Sequence, residues 1–439
     1  MKKLIALMAV LILAACNGST SGPVVEPLNE DEPAPTTAPT DAPTDEPAEP
    51  TDTEPAATET DDSAAPEPIP TTPSEEGEAA DLDQEPRDEG DLLPAALYFL
   101  NQENDQIYRL DADGSELTQL TFEPAPVVEF AVSGEAGLIA YVSNNTLYTV
   151  ELTGADRREI AQGGPDESDF SQTISGLDWS PDGTTLVYGN QGIVFYDPGT
   201  ELSEMQLPND PPPDLTNPEY TPEPEPAQFY TPISFSPNGT QLLIQAAIYF
   251  SDGIGYQILN IITGERTQLS SPAGIVCCNP RWAPDGDAIY ISNDSVGFLE
   301  PGMWQIRAAN GDGTTIIEGV QEGGEAFQLV NGARMLADGL VYHFYGTIES
   351  MPDTPTPLSM ARSDPQGEDL ELLREDNYIP GAVLWDPAAS GAVIMDLTAQ
   401  YAGGEFPPFP FRGPLLWIPV DGSAPVDLGV TGAAPQWGP

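Results

Sequence analysis

The twelve residues from Leu177 to Tyr188, LDWSPDGTTLVY, decide the fold. They read as an apolar strand ending in Trp179, a tight turn, and a second apolar strand. Pro181 presets φ and Gly183 admits positive φ, so Ser180-Pro181-Asp182-Gly183 is a turn with a physical cause. The pattern returns around Phe235, with Ser236-Pro237-Asn238-Gly239 and Leu242-Leu243-Ile244 behind it. It returns again around Trp282, with Ala283-Pro284-Asp285-Gly286 and Ala288-Ile289-Tyr290. Weaker copies lie at Phe130, Phe327 and Trp385, and the fragment Pro435-Gln436-Trp437 ends the chain. A second turn recurs between them, as Asp111-Ala112-Asp113-Gly114, Thr263-Gly264-Glu265, Asn310-Gly311-Asp312-Gly313 and Val420-Asp421-Gly422-Ser423. Each unit therefore holds four short strands, which suits a propeller blade better than a helical repeat.

These motifs resemble the WD40-like (PD40) repeats of the TolB propeller family. The resemblance covers nearly all of Ala95 to Pro439. It implies an all-β fold, a β-propeller with four antiparallel strands per blade. Phe130, Trp179, Phe235, Trp282, Phe327 and Trp385 start six units, spaced 49, 56, 47, 45 and 58 residues apart. The stretch from Ala95 to Phe122 supplies three more strands but no first strand, and Trp437 supplies a first strand with nothing after it. One blade is then shared between the chain ends, which gives seven blades closed by strand pairing. Six remain if the copy at Phe327 is not a blade. The expected role of these seven aromatics, Trp437 included, is packing between neighbouring blades.

The N-terminus has its own signature. Lys2 and Lys3 precede the apolar run Leu4 to Leu13, too short to span a bilayer and suited to a signal peptide. Leu13-Ala14-Ala15-Cys16 resembles a bacterial lipobox, which implies cleavage before Cys16 and lipidation of that residue. The expectation is an extracytoplasmic protein, lipid-anchored to the bacterial cell membrane or outer membrane. Residues 1–15 are the signal peptide and 16–94 a stalk. From Asn17 to Pro94 there are 23 carboxylates, one arginine and no aromatic residue. Such a segment cannot bury enough apolar surface to offset its ordering entropy, so an extended, disordered spacer is expected. Its Thr and Pro content suits glycosylation. Residues 95–439 form the propeller.

Counting excludes much chemistry. The chain carries 71 acidic and 13 basic residues, a formal charge of −58. A nucleic acid would be repelled. Lys2 and Lys3 are the only lysines, so the mature protein offers none for a Schiff base. His343 is the only histidine, which excludes Ser-His-Asp, Cys-His and HExxH sites. It lies in an apolar strand pattern and reads as a packed residue. Cys277 and Cys278 are adjacent. Two separate thiols and a strained vicinal disulfide both stay open. No metal or other cofactor is expected, although the Asp-Gly turns leave room for a structural cation such as calcium.

In a propeller the connections between first and second strands, and between third and fourth, share one face. The other connections share the opposite face, and the long ones here are all of this second kind. The most aromatic runs from Gln400 to Pro414. Tyr401, Phe406, Phe409, Phe411 and Arg412 are its candidate ligand-binding residues, stiffened by intervening prolines. The expected function is non-catalytic binding, by a monomer, of an envelope protein or polysaccharide. A plug for the protein's own channel is the structural alternative for that loop. The alternative function is a carboxylate-dependent glycan hydrolase or lyase. With 48 carboxylates between Ala95 and Pro439, no pair stands out.

Overall fold

In the computed structural model the described residues are 90–439, apart from 166–169, 214–225, 250–253, 271–278, 297–299, 321–325, 351–354 and 403–408. Cys16, the stalk expected over 16–94 up to residue 89, Cys277, Cys278 and Phe406 lie outside them.

The described chain is built from short antiparallel strands taken in sequence order. The first three are β1 (Leu97–Asn101), β2 (Ile107–Leu110) and β3 (Leu117–Gln119). A four-stranded sheet follows, of β4 (Val127–Ser133), β5 (Leu138–Ser143), β6 (Thr146–Glu151) and β7 (Arg158–Gln162). The next holds β8 (Ser175–Trp179), β9 (Leu186–Gly189), β10 (Gly192–Asp197) and β11 (Leu202–Pro208). Then come β12 (Gln228–Phe235), β13 (Gln241–Ile248), β14 (Ile254–Asn260) and β15 (Arg266–Gln268). The fourth such sheet is β16 (Arg281–Trp282), β17 (Ala288–Asn293), β18 (Gly302–Arg307) and β19 (Gly313–Glu318). The fifth is β20 (Phe327–Met335), β21 (Val341–Ile348), β22 (Leu358–Ser363) and β23 (Glu371–Tyr378). Last come β24 (Pro380–Trp385), β25 (Gly391–Asp396), the single turn α1 (Thr398–Tyr401), β26 (Gly413–Pro419) and β27 (Val426–Trp437). These four strands and β1–β3 make one seven-stranded sheet, in the order β24-β25-β26-β27-β1-β2-β3. Its middle strand is long enough to pair twice. Gly432 of β27 lies opposite Gly413 of β26, and Trp437 lies opposite Leu97 of β1.

The turns form for local reasons. Gly183 sits at φ +66 and donates to the Ser180 carbonyl at 2.8 Å. Asp182 Oδ1 accepts from Ser180 Oγ at 2.6 Å, from the Thr184 N–H at 3.1 Å and from Thr184 Oγ1 at 2.9 Å. Asn238 does the same for Ser236 and Thr240. Polar side chains thus satisfy the turn backbone without long-range help.

The tryptophans that end first strands show why that position is aromatic. Each buries its ring against the preceding four-strand unit and donates its indole N–H to that unit's first strand. Trp179 bonds the Ala131 carbonyl at 3.2 Å, Trp282 that of Ser234 at 3.3 Å, and Trp385 that of Gly332 at 2.7 Å. Trp437 bonds the carbonyl of Trp385 at 2.9 Å. Phe235 is buried at the equivalent join. Phe130 is buried against Tyr98 and Leu100 of the preceding sheet but lies opposite Tyr141, three residues before Ser133, the pre-turn residue opposite Leu138. Phe327 is placed differently. It begins β20 and pairs with Ile348 at the far end of the strand. The residue before the turn is Met335, opposite Val341, as Trp282 is opposite Ile289. The degenerate turn Leu336-Ala337-Asp338-Gly339 hid that register in the sequence. The folded part also takes in Leu92 and Leu93, whose N–H groups donate to the Ala112 carbonyl at 2.9 and 2.8 Å.

Among the described residues, no helix is long and apolar enough to cross a membrane.

Candidate functional site

The aromatic connection between β25 and β26 is anchored at both ends. Tyr401 ends α1 and is buried in the core formed by Phe99, Leu397 and Leu415. The Thr398 hydroxyl receives the Ile379 N–H at 2.9 Å and gives its own proton to Asp396 at 2.6 Å, which fixes the start of the turn. Arg412 reaches Asp105, between β1 and β2, with an N–O distance of 2.8 Å. Its carbonyl accepts from the Gln400 side chain. The Arg412 guanidinium, read from the sequence as a ligand donor, is therefore used to hold the connection onto its neighbour. Phe411 packs against the same core as Tyr401, and Phe409 meets it edge to face at 5.8 Å between centroids. Of the described candidates, Phe409 and Phe411 come together. Tyr401 is packed in the core and Arg412 is paired with Asp105.

The connection lengths agree with the sequence reading. Turns joining first to second and third to fourth strands are all short, the longest running from Ser363 to Glu371. The long ones are of the other kind, from Pro208 to Gln228 and from Asp396 to Gly413. Side chains hold these over distance. Asn145 receives the Ile174 N–H at 2.8 Å and donates to the carbonyls of Gly164 and Gln172 at 3.1 and 3.3 Å. Asn209 receives the Tyr230 N–H at 2.8 Å.

A second group of polar residues lies on the first strands. Such a strand has one ladder partner in its sheet, so its outer N–H and C=O groups need others. Side chains from the preceding sheet supply them. Glu129 on β4 accepts from the Gly176 and Leu177 N–H groups at 3.0 and 2.9 Å. Asp178 on β8 accepts from the Phe235 N–H at 2.7 Å. Gln436 on β27 accepts from the Val132 N–H at 3.1 Å and donates to the Phe130 carbonyl at 2.7 Å. Asn331 on β20 donates to the Pro380 carbonyl at 3.1 Å and to Asp294 at 2.8 Å. Composition did not signal these residues; what marks them is their place one residue (Asp178, Gln436) or four residues (Glu129, Asn331) before the residue that ends the strand.

Their surroundings are dry. Burial raises the carboxyl pKa of Glu129 and Asp294 against their hydrogen bonds. It pushes Asp178 up to about 7, against the Phe235 and Trp179 N–H groups and the charge of Arg281. Burial also lowers the Arg281 guanidinium, and lowers Arg334 to about 10 with help from the charge of Arg281. Yet Arg281 keeps an exposed side chain and Arg334 is half-buried.

His343 is packed in β21, as its sequence context implies. Its Nδ1 lies 3.2 Å from the Val341 carbonyl, and Nε2 has no hydrogen-bond partner. Burial lowers its pKa to about 4, so it is neutral at pH 7. No group of three or more potential metal ligands occurs among the described residues.

No protein-family model matches the chain, and no curated protein does. Solved structures do. The chain is similar to TolB from Acinetobacter baumannii, at 15% identity over 76% of this chain and 79% of that one, with a TM-score of 0.39. It is similar to an oligogalacturonate lyase from Vibrio parahaemolyticus, at 13% identity over 76% and 84%, with a TM-score of 0.47. A protein of unknown function from Desulfotomaculum acetoxidans aligns over 79% of this chain and all of that one, at 13% identity and a TM-score of 0.49. TolB-like and lyase-like propellers are thus the structural neighbours of this chain. The likeness is one of fold.

Proposed function

We propose that the protein is a lipid-anchored, extracytoplasmic binding module. Cys16 carries the anchor, the acidic segment is a spacer, and the propeller binds an envelope protein or polysaccharide without turning it over. The propeller has seven blades, with β27 serving as the last strand of one blade and the first of the next. Its pairing with both β26 and β1 supports that closure. So does its packing beside both β24 and β4. The observation behind the binding reading is the segregation of every long connection to one rim. The carboxylates Glu129 and Asp178 are tied to backbone N–H groups, so the glycan-cleaving alternative gains no free pair from them.

Site-specific photocrosslinking in intact cells tests this reading, with the full-length chain carrying the probe at Phe409 or Gln191 on one rim and at Asp182 or Asn238 on the other. The expected result is one recurring adduct from the long-connection rim. Adducts only from the short-turn rim, or none from either, would overturn it. Cys16→Ser should move the protein from the membrane to the soluble fraction.

A further inference from the structure

Between Ala95 and Pro439 there are ten arginines, in a chain of charge −58. Six hold a carboxylate within 3 Å: Arg109, Arg157, Arg158, Arg362, Arg374 and Arg412. Arg281 and Arg334 have no such partner among the described residues. Both occupy the position just before a turn, Arg281 ahead of Trp282 and Arg334 ahead of Met335. Their strands, β16 and β20, pack beside each other. Asp178 stands at the same position on β8 and there caps the Phe235 N–H. A guanidinium has only donors, so it cannot do this for a neighbouring strand. Arg281 gives one proton to the Pro280 carbonyl at 3.3 Å. Arg334 has no hydrogen bond to any described residue. Asp178 is the carboxylate whose field reaches Arg281, and its Oδ2 accepts the Phe235 N–H. Two cations on adjacent strands therefore have donors to spare, and the field of Arg281 opposes the charge of Arg334.

We propose that Arg281 and Arg334 together bind an oxyanion, the carboxylate or phosphate group of a small ligand. Two planar forks approaching from adjacent strands can each give paired hydrogen bonds to such a group. The anion would also offset the field of Arg281 at Arg334. This site lies at the turn end of the first strands, away from the long connections. It does not depend on the binding role proposed for them.

Thermal melts of the full-length protein test it, in chloride, succinate and inorganic phosphate at matched ionic strength. Either succinate or phosphate is expected to raise Tm over chloride, and the one that does so tells carboxylate from phosphate recognition. Arg281→Gln and Arg334→Gln should each weaken that ligand about tenfold or more, the loss of a charge-assisted hydrogen bond. Each should leave the ligand-free protein as stable or more so, because an uncompensated charge is gone. Arg307→Gln, at an exposed arginine, should keep the full response. Arg334→Lys keeps the charge and loses the fork, and serves where Arg334→Gln does not fold. It should weaken binding by less. The proposal fails if neither anion protects the wild type. It fails equally if both glutamine variants lose ligand-free stability while responding to the anion as the wild type does.

Discussion

The two rims of the molecule are held in different ways. On the short-turn rim turns such as those at Asp182 and Asn238 satisfy their own backbone, through a side chain that bonds residues two positions away. On the long-connection rim the stabilising partners are remote. Asn145 holds residues up to 29 positions on, and Arg412 meets Asp105 across 307. One rim repeats the same local turn chemistry, with Arg158–Glu201 and Arg374–Ser423 added across blades. The other is built from single long-range contacts, each different, and a rim of that kind can vary its surface without altering the repeat. The difference predicts that damage on the first side is set by sterics and packing. On the second it is set by individual hydrogen bonds.

The largest effect should come from the joins between sheets. Trp385 is 1% exposed, bonds the Gly332 carbonyl and packs on Tyr342 and Phe344. Trp385→Ala should cost about 3–5 kcal/mol in urea unfolding. Phe327, at the other end of its strand and half-buried, should cost about 1–2 kcal/mol as Ala. Equal costs would mean that Phe327 does join blades after all. On the short-turn rim, an alanine Cβ at Gly183 would lie 2.5 Å from the Ala136 N atom of the neighbouring turn, at φ +66. Gly183→Ala should cost about 2–3 kcal/mol, strain and clash together. Gly264 has φ +73 with open space around it, so Gly264→Ala should cost only about 1 kcal/mol. If the two cost the same, the turns do not touch. On the long-connection rim, Asn145→Ala removes three hydrogen bonds and should cost about 1–2 kcal/mol. Its amide exchange should rise at Ile174 and stay unchanged at Gly183.

The same division explains what could be read from the sequence. Ser180-Pro181-Asp182-Gly183 was legible because every interaction that shapes it lies within five residues. The repeat followed from it, and so did the short-turn rim. The copy at Phe327 misled because its true pre-turn residue, Met335, is not aromatic and Asp338-Gly339 lacks the preceding proline. The partner of Arg412 was not legible because Asp105, its carboxylate, lies 307 residues away in sequence. Glu129 and Asp178 gave no signal for a similar reason. The groups they cap are backbone, and backbone geometry on a neighbouring sheet is not written in composition.

The smallest expected effect concerns those caps. Burial raises the folded pKa of Asp178 from the ordinary carboxylate value to about 7. The folded state therefore holds the proton more tightly than the unfolded one. Charging the group opposes folding, and this cost is absent below the unfolded pKa and complete above the folded one. Wild-type stability should fall from this source as pH rises between those values. Asp178→Asn keeps an oxygen to accept the Phe235 N–H and removes the charge. It should be more stable than the wild type at pH 8, by about 1 kcal/mol once solvent screening is allowed for, with the gain gone by pH 4. His343 works in the opposite sense. Burial lowers its folded pKa to about 4, below that of a free imidazole, so the stability from its neutral ring is lost as pH falls through that window. Both proteins carry His343, so it cancels in the difference between them, and that difference is the quantity to follow in paired melts from pH 4 to 8. A variant weaker than the wild type across the whole range would show that Asp178 is held as a charged partner of Arg281. The anion proposed to sit between Arg281 and Arg334 would then have only Arg334 left to neutralise.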